Sequence, residues 1–162
     1  MALLKIGQTA PSFSSTAVGG GYGSGSPVKL SDFRGNCVVL YFYPKDYTPG
    51  CTTQACGIRD SWHEIRKSGV ALFGVSTDPE KSHEKFISKF NLPFPLLADA
   101  NRAIVESYGV WVEKSMYGRK YMGTEHTTFI IDSKGRITAI LSKVKPSEHA
   151  AMVLDSLKRI EN

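Results

Sequence analysis

The sequence contains few cysteines and no long apolar run. Only Cys37, Cys51 and Cys56 occur in 162 residues. This small, odd number excludes a disulfide-stabilised scaffold and suits a reducing compartment, where thiols are reactive rather than structural. No apolar stretch approaches the roughly 18 residues that cross a bilayer, and residues 1–10 lack the apolar segment of a signal peptide. We therefore expect a cytoplasmic protein without a membrane partner.

The sequence also lacks clusters of one charge, internal repeats and regularly spaced metal ligands. It has 20 basic and 15 acidic side chains, a net charge of +5, and no basic block of five residues, so nucleic-acid binding is not expected. His63, His83 and His149 show no ligand-like spacing, so we expect surface histidines and neither a metal nor a cofactor. A hydrophobic content of 41% supplies the core of one domain over residues 1–162.

The first half of the chain predicts a βαβ unit. A glycine- and serine-rich loop or loose hairpin at residues 16–27 precedes a continuous apolar and aromatic run at residues 36–43, which is typical of a buried central strand. Apolar side chains at helical spacing predict one helix over residues 49–67. A second buried strand is expected at residues 70–76, and a second helix begins after Asp78.

The second half predicts a hairpin and a closing helix. A short helical piece near residues 101–107 is followed by strands at residues 127–132 and 136–141, whose turn joins them as an antiparallel pair. Residues 146–161 predict the last helix. This order predicts an α/β fold with a mixed central sheet and helices on both faces.

The chemistry is expected in residues 43–56, YPKDYTPGCTTQAC, between the first buried strand and the next helix. Such junctions are where α/β proteins place their sites. If Thr48 is the N-cap, Pro49 takes the first helical position and Cys51 lies in the first turn. Unpaired backbone N–H groups and the helix dipole favour an anion there. Helix N-termini can lower the pKa of a cysteine to roughly 3.5 to 7.5, so we expect a stabilised Cys51 thiolate that acts as a nucleophile.

Cys56 follows Cys51 by five positions on the same predicted helix. Residues at this spacing have Cα atoms ~8.6 Å apart in an intact α-helix. A disulfide tolerates at most about 7 Å. A bond between Cys51 and Cys56 would therefore require at least one helical turn to unwind.

Residues 43–56 resemble the peroxidatic motif of the peroxiredoxins, specifically of the bacterioferritin comigratory protein or peroxiredoxin Q subfamily. Further segments resemble this subfamily in the same order and cover most of the chain: KLSDFRG, PLLAD, YGVW, MYGRKYMG and TTFIID. The resemblance implies a thioredoxin-like fold and thiol-dependent reduction of hydrogen peroxide or organic hydroperoxides, including alkyl hydroperoxides.

The resemblance also implies a role for individual residues. Cys51 would be the peroxidatic cysteine, oxidised to a sulfenic acid, and Cys56 the resolving cysteine that forms an intramolecular disulfide with it. Thioredoxin or a similar dithiol protein would reduce that disulfide. Pro44 would shield the sulfur, and Thr48 would hydrogen-bond the thiolate and the substrate oxygen. We expect a monomer.

Two positions depart from the family pattern. The arginine that usually precedes the TTFIID strand is replaced by His126, and the glutamate that usually lies three residues after the peroxidatic cysteine is replaced by Gln54. We hypothesise that Gln54 and His126 form a neutral hydrogen-bonded substitute, which would make activity more dependent on pH. Arg119 is the alternative source of a positive charge.

Other interpretations remain open. A thioredoxin-type dithiol oxidoreductase without peroxidase activity is one, although such proteins use Cys-x-x-Cys spacing. A non-enzymatic copper-binding module with two cysteines and a histidine is another. Cys37 is expected to pack in the central strand rather than to react.

Overall fold

The computed structural model describes residues 4–161. It contains nine strands, five α-helices and two short 3₁₀ turns within that range. The strands are β1 (Ser14–Val18), β2 (Ser26–Lys29), β3 (Val38–Phe42), β4 (Ala71–Ser76), β5 (Leu96–Ala98), β6 (Trp111–Met116), β7 (Arg119–Thr124), β8 (Thr127–Ile131) and β9 (Ile137–Ser142). The helices are α1 (Pro49–Asp60), α2 (Trp62–Lys67), α3 (Glu80–Phe90), α4 (Ala103–Ser107) and α5 (His149–Glu161).

Seven strands form one mixed sheet in the order β2-β1-β5-β4-β3-β8-β9. Strands β3, β4 and β5 run parallel, while β8 pairs antiparallel with β3 and with β9. Every residue of β3 is buried because the strand is covered on both faces. The predicted βαβ unit, hairpin and mixed sheet are therefore confirmed.

Helices lie on both faces of the sheet, but unequally. One face packs against α1, α2, α3 and α5, and the core on that side includes Val39 and Tyr41 of β3. The other face packs against α4 and the N-terminal segments, with Leu40 and Phe42 in its core. Because side chains alternate along β3, the strand contributes residues to two separate cores.

The single helix expected over residues 49–67 is broken. Ser61 takes φ −101° and ψ 6°, which ends α1, and α2 begins at Trp62. The break turns the chain so that Trp62 packs on Phe94 with ring centroids 5.8 Å apart, while Ile58 and Ile65 both stay buried. The packing of residues on both sides of Ser61 therefore breaks the single helix that the spacing of apolar residues predicts.

The antiparallel pair β6 and β7 was missed by the sequence analysis. It forms a separate two-stranded sheet, and most of its side chains are exposed, so its residues show no strong alternation of apolar and polar character. Within residues 4–161, no helix is both long and apolar enough to cross a membrane.

Candidate active site

Cys51 lies where the sequence places it. Strand β3 ends at Phe42, Pro44 follows in a half-buried bend, and Thr48 is the N-cap of α1 with φ −69° and ψ 148°. Pro49 takes the first helical position, so Cys51 is the third residue of the helix. The Cys51 side chain is buried, with 2% exposure. The loop therefore brings Pro44, Thr48 and Cys51 to one end of the central strand.

The expected low pKa of Cys51 is wrong for this conformation. Burial of the thiol is the largest influence and raises its pKa above the usual value. A hydrogen bond from the Lys45 backbone and the contact with the Thr48 hydroxyl lower the pKa, while the carboxylates of Asp46 and Asp78 raise it again. The helix N-terminus favours the thiolate, whereas burial of the thiol acts in the opposite direction.

The Thr48 side chain does not cap the helix. Its hydroxyl donates to the Lys45 carbonyl oxygen at 2.9 Å, which closes the loop that precedes α1. The same hydroxyl contacts the Cys51 thiol and lowers the thiol pKa. Thr48 therefore both fixes the loop and offers the sulfur a polar partner.

Cys56 is half-buried on the same helix, and both Cys51 and Cys56 are thiols. Because both lie within α1, their separation follows helix geometry and is ~8.6 Å between Cα atoms, too far for a disulfide. Cys37 packs against the core on the side of α1, as expected.

The predicted hydrogen bond between Gln54 and His126 is wrong. Among the described residues, Gln54 Oε1 and His126 Nδ1 are both buried without a hydrogen-bond partner. Burial and the charge of Lys114 lower the pKa of His126, so its ring is neutral at pH 7. Arg119 lies exposed beside the turn of the β6–β7 hairpin, away from Cys51.

Two histidines expected on the surface are buried instead. His83 is 0% exposed and His149 is 1% exposed. His149 Nε2 lies 2.7 Å from the Thr128 hydroxyl, and its ring packs on Tyr41 with centroids 5.4 Å apart. Burial lowers the pKa of His149 to about 4. His63 is exposed, as expected.

A buried polar network holds the loop before α1, and the sequence analysis did not find it. Asp46 accepts hydrogen bonds from the Tyr43 hydroxyl at 2.7 Å and from the Ser82 hydroxyl at 2.8 Å. Its carboxylate also lies 2.8 Å from His83 Nδ1. The Asp46 backbone N–H donates to Asp78 Oδ2 at 2.8 Å. The loop is thus attached to β4 and α3 at a buried position.

The same network includes the one group of possible metal ligands found within residues 4–161. One ligand atom from each of Asp46, Asp78 and His83 lies within 4.8 Å of the others. Hydrogen bonds from within the protein already engage these groups, so the cluster is an internal hydrogen-bonded unit. No such cluster in this part of the chain combines the cysteines with a histidine, which removes the geometric basis of the copper-binding interpretation.

Comparison with known sequences agrees with this arrangement. The sequence model of the AhpC/TSA family matches residues 6–140. The chain is 45% identical to the peroxiredoxin Bcp of Bacillus subtilis over 155 residues, with 96% of each chain covered. The chain belongs to the AhpC/TSA family of peroxiredoxins. The peroxiredoxin Bcp of Escherichia coli is 43% identical to it, again with 96% of each chain covered.

Solved structures show the same peroxiredoxin architecture. PrxQ of Xylella fastidiosa superposes with a TM-score of 0.90 at 31% identity, and the match covers 100% of both chains. The bacterioferritin comigratory protein of Xanthomonas campestris gives a TM-score of 0.85 at 35% identity over 93% of this chain and 92% of that one. That protein was studied for alkyl peroxide reduction in trapped intermediate and ligand complexes. The predicted thioredoxin-like fold and the assignment as a thiol peroxidase are confirmed.

Proposed function

We propose that Cys51 is the peroxidatic cysteine and that Cys56 resolves its oxidised form. The Cys51 thiolate attacks one peroxide oxygen, the O–O bond breaks, and the alcohol or water leaves with a proton. Cys51 is thereby oxidised to a sulfenic acid. The position of Cys51 in the first turn of α1, behind Pro44 and Thr48, is the observation that supports this assignment.

Cys56 then attacks the sulfenic sulfur, which forms the Cys51–Cys56 disulfide and releases water. Because intact α1 holds the two Cα atoms too far apart, its first turn must unwind before this step. Two glycines face the neighbouring segment along α1: a Cβ at Gly50 would lie 3.4 Å from Pro146 and one at Gly57 would lie 3.7 Å from Ala150. The absence of side chains at these two positions lets α1 pack closely against residues 146–150.

We propose hydrogen peroxide and alkyl hydroperoxides as substrates, in line with the activity studied in the Xanthomonas campestris protein. Thioredoxin or a similar dithiol protein reduces the disulfide by thiol–disulfide exchange through a mixed disulfide. The protein acts as a monomer in the cytoplasm, where its three cysteines start the cycle as thiols.

The test combines intact-protein mass spectrometry with three cysteine variants. One equivalent of peroxide should remove two hydrogen atoms from the native protein, and peptide mapping should place the new bond between Cys51 and Cys56. Cys51→Ser should consume no peroxide. Cys56→Ser should retain one oxidation event but lose recycling by thioredoxin.

Cys37→Ser is the matched control, because Cys37 packs beside β3 and should leave both steps unchanged. A disulfide that includes Cys37, or full turnover by Cys51→Ser, would disprove the assignment. Reduction of a general disulfide substrate without peroxide consumption would favour the thioredoxin-type alternative.

A further inference from the structure

We propose that Lys114 provides the positive charge that stabilises the Cys51 thiolate, in place of the arginine that this chain lacks at position 126. This inference rests on the proposed role of Cys51. His126 and Arg119 were the two candidates from sequence. Neither fits, because His126 is neutral at pH 7 and Arg119 lies exposed near the hairpin turn.

The Lys114 side chain runs along the hairpin rather than into solvent. Lys114 lies on β6 opposite Tyr121, and its ammonium group donates to the Thr124 carbonyl oxygen at the base of the hairpin. A Cβ at Gly123 would lie 3.3 Å from Lys114 Cδ and 3.6 Å from Cε. The glycine therefore leaves the space through which the lysine chain passes.

The base of the hairpin adjoins the end of the sheet that carries Cys51. Thr124 is followed by Glu125 and His126, and then by β8, whose first residue Thr127 pairs with Phe42 at the end of β3. The loop to Cys51 begins directly after Phe42. These connections place the base of the hairpin, where the Lys114 ammonium group lies, next to the end of β3 from which the loop to Cys51 starts.

The charges around Lys114 agree with this placement. Burial lowers the pKa of Lys114, while Glu125 and the negative charge of Cys51 raise it. A coulombic attraction is mutual, so the ammonium stabilises the thiolate by the same free energy. At Cys51 itself, burial is the largest influence and raises the pKa of the thiol, and the carboxylates of Asp46 and Asp78 raise it further. Lys114 acts in the opposite direction and makes the thiolate accessible at a lower pH than it would otherwise be.

The test measures the pH dependence of Cys51 alkylation by iodoacetamide, followed by peptide mapping, in the native chain and in Lys114→Met. An opposite charge close to a thiol lowers its pKa by about one unit or more. Lys114→Met should therefore move the alkylation midpoint up by about one pH unit and slow peroxide consumption about tenfold below that midpoint. Lys114→Arg should restore both values, which loss of packing alone would not explain.

Lys120→Met is the matched control, because Lys120 lies on the same hairpin with a side chain 79% exposed. It should leave the midpoint unchanged. Lys114→Gln provides a second neutral variant if Lys114→Met does not fold. An unchanged midpoint in either neutral variant, or an equal shift in Lys120→Met, would overturn the proposal. Alkylation does not depend on turnover. An unchanged alkylation midpoint would therefore refute the role of Lys114 alone, whereas peroxide consumption by Cys51→Ser would refute the role of Cys51.

Discussion

Replacement of His83 by leucine should strongly destabilise the fold. His83 Nδ1 lies 2.8 Å from the Asp46 carboxylate, and Nε2 lies 3.0 Å from the Leu97 carbonyl oxygen. Both ring nitrogens of His83 thus contact oxygen atoms in the interior. The two side chains are 0% and 1% exposed. His83→Leu would leave the buried Asp46 side chain and the Leu97 carbonyl oxygen each without this partner.

The expected loss follows from the cost of buried polar groups that lose a hydrogen-bond partner. Each such group typically costs about 1–3 kcal/mol. The Asp46 side chain and the Leu97 carbonyl oxygen each lose a partner, but the hydroxyl groups of Tyr43 and Ser82 still donate to Asp46, so we expect a loss of about 2–4 kcal/mol. A domain of this size loses roughly 2–4 °C of melting temperature per kcal/mol, so the melting temperature should fall by roughly 4–16 °C.

Urea denaturation at pH 7 measures this loss, and a double-mutant cycle assigns it. Asp46→Asn combined with His83→Leu should cost less than the sum of the single variants, because the two side chains contact each other directly. His63→Leu, at an exposed position on α2, should change the free energy of unfolding by no more than about 0.5 kcal/mol. A loss below about 1 kcal/mol in His83→Leu, or strict additivity, would refute the coupling between His83 and Asp46.

Three further predictions concern the surroundings of Cys51. Gly74→Ala should destabilise the protein by about 1–3 kcal/mol in thermal melts, because the new Cβ would lie 2.7 Å from both Tyr41 Cζ and Leu96 Cδ2; an unchanged melting temperature would contradict this packing. Burial lowers the pKa of His149 to about 4 in the folded state, whereas a histidine in the unfolded chain has a pKa of about 6.5. As the pH falls below about 6.5, the unfolded chain therefore binds the proton first, and the folded state loses stability down to about pH 4. Between pH 7 and pH 4.5 this loss should be about 2 kcal/mol in urea titrations, and His149→Gln should remove it. His126→Arg should shift the pH profile of peroxide turnover to lower pH by adding a permanent charge; an identical profile would exclude position 126 from the mechanism.

The sequence predicts the features that depend on neighbouring residues. The apolar run at β3, the boundary before Thr48 and the position of Cys51 in the first turn of α1 all follow from local patterns. These patterns place the segment that contains Cys51 at a strand–helix junction because the strand is buried and the helix has a defined start. The order of most strands and helices follows in the same way.

The remaining features depend on contacts between distant parts of the chain. His83 pairs with Asp46, which is 37 positions away, and only the fold brings α3 against the loop. One local pattern did indicate that His83 is buried: it precedes Phe86 by three positions and so lies on the same side of α3. The depth at which Cys51 is buried also arises from packing, so the sequence could not reveal that desolvation raises its pKa.

The break at Ser61 confines any opening of the site to one segment. α1 spans 12 residues and ends there, whereas α2 keeps Ile65 in the core. Amide hydrogens in the first turn of α1 should therefore exchange with solvent rapidly, while those of β3, which is paired on both sides, exchange slowest. A rapidly exchanging segment and a slowly exchanging strand then lie close together in the chain, so local opening near Cys51 should leave the sheet beneath it unchanged.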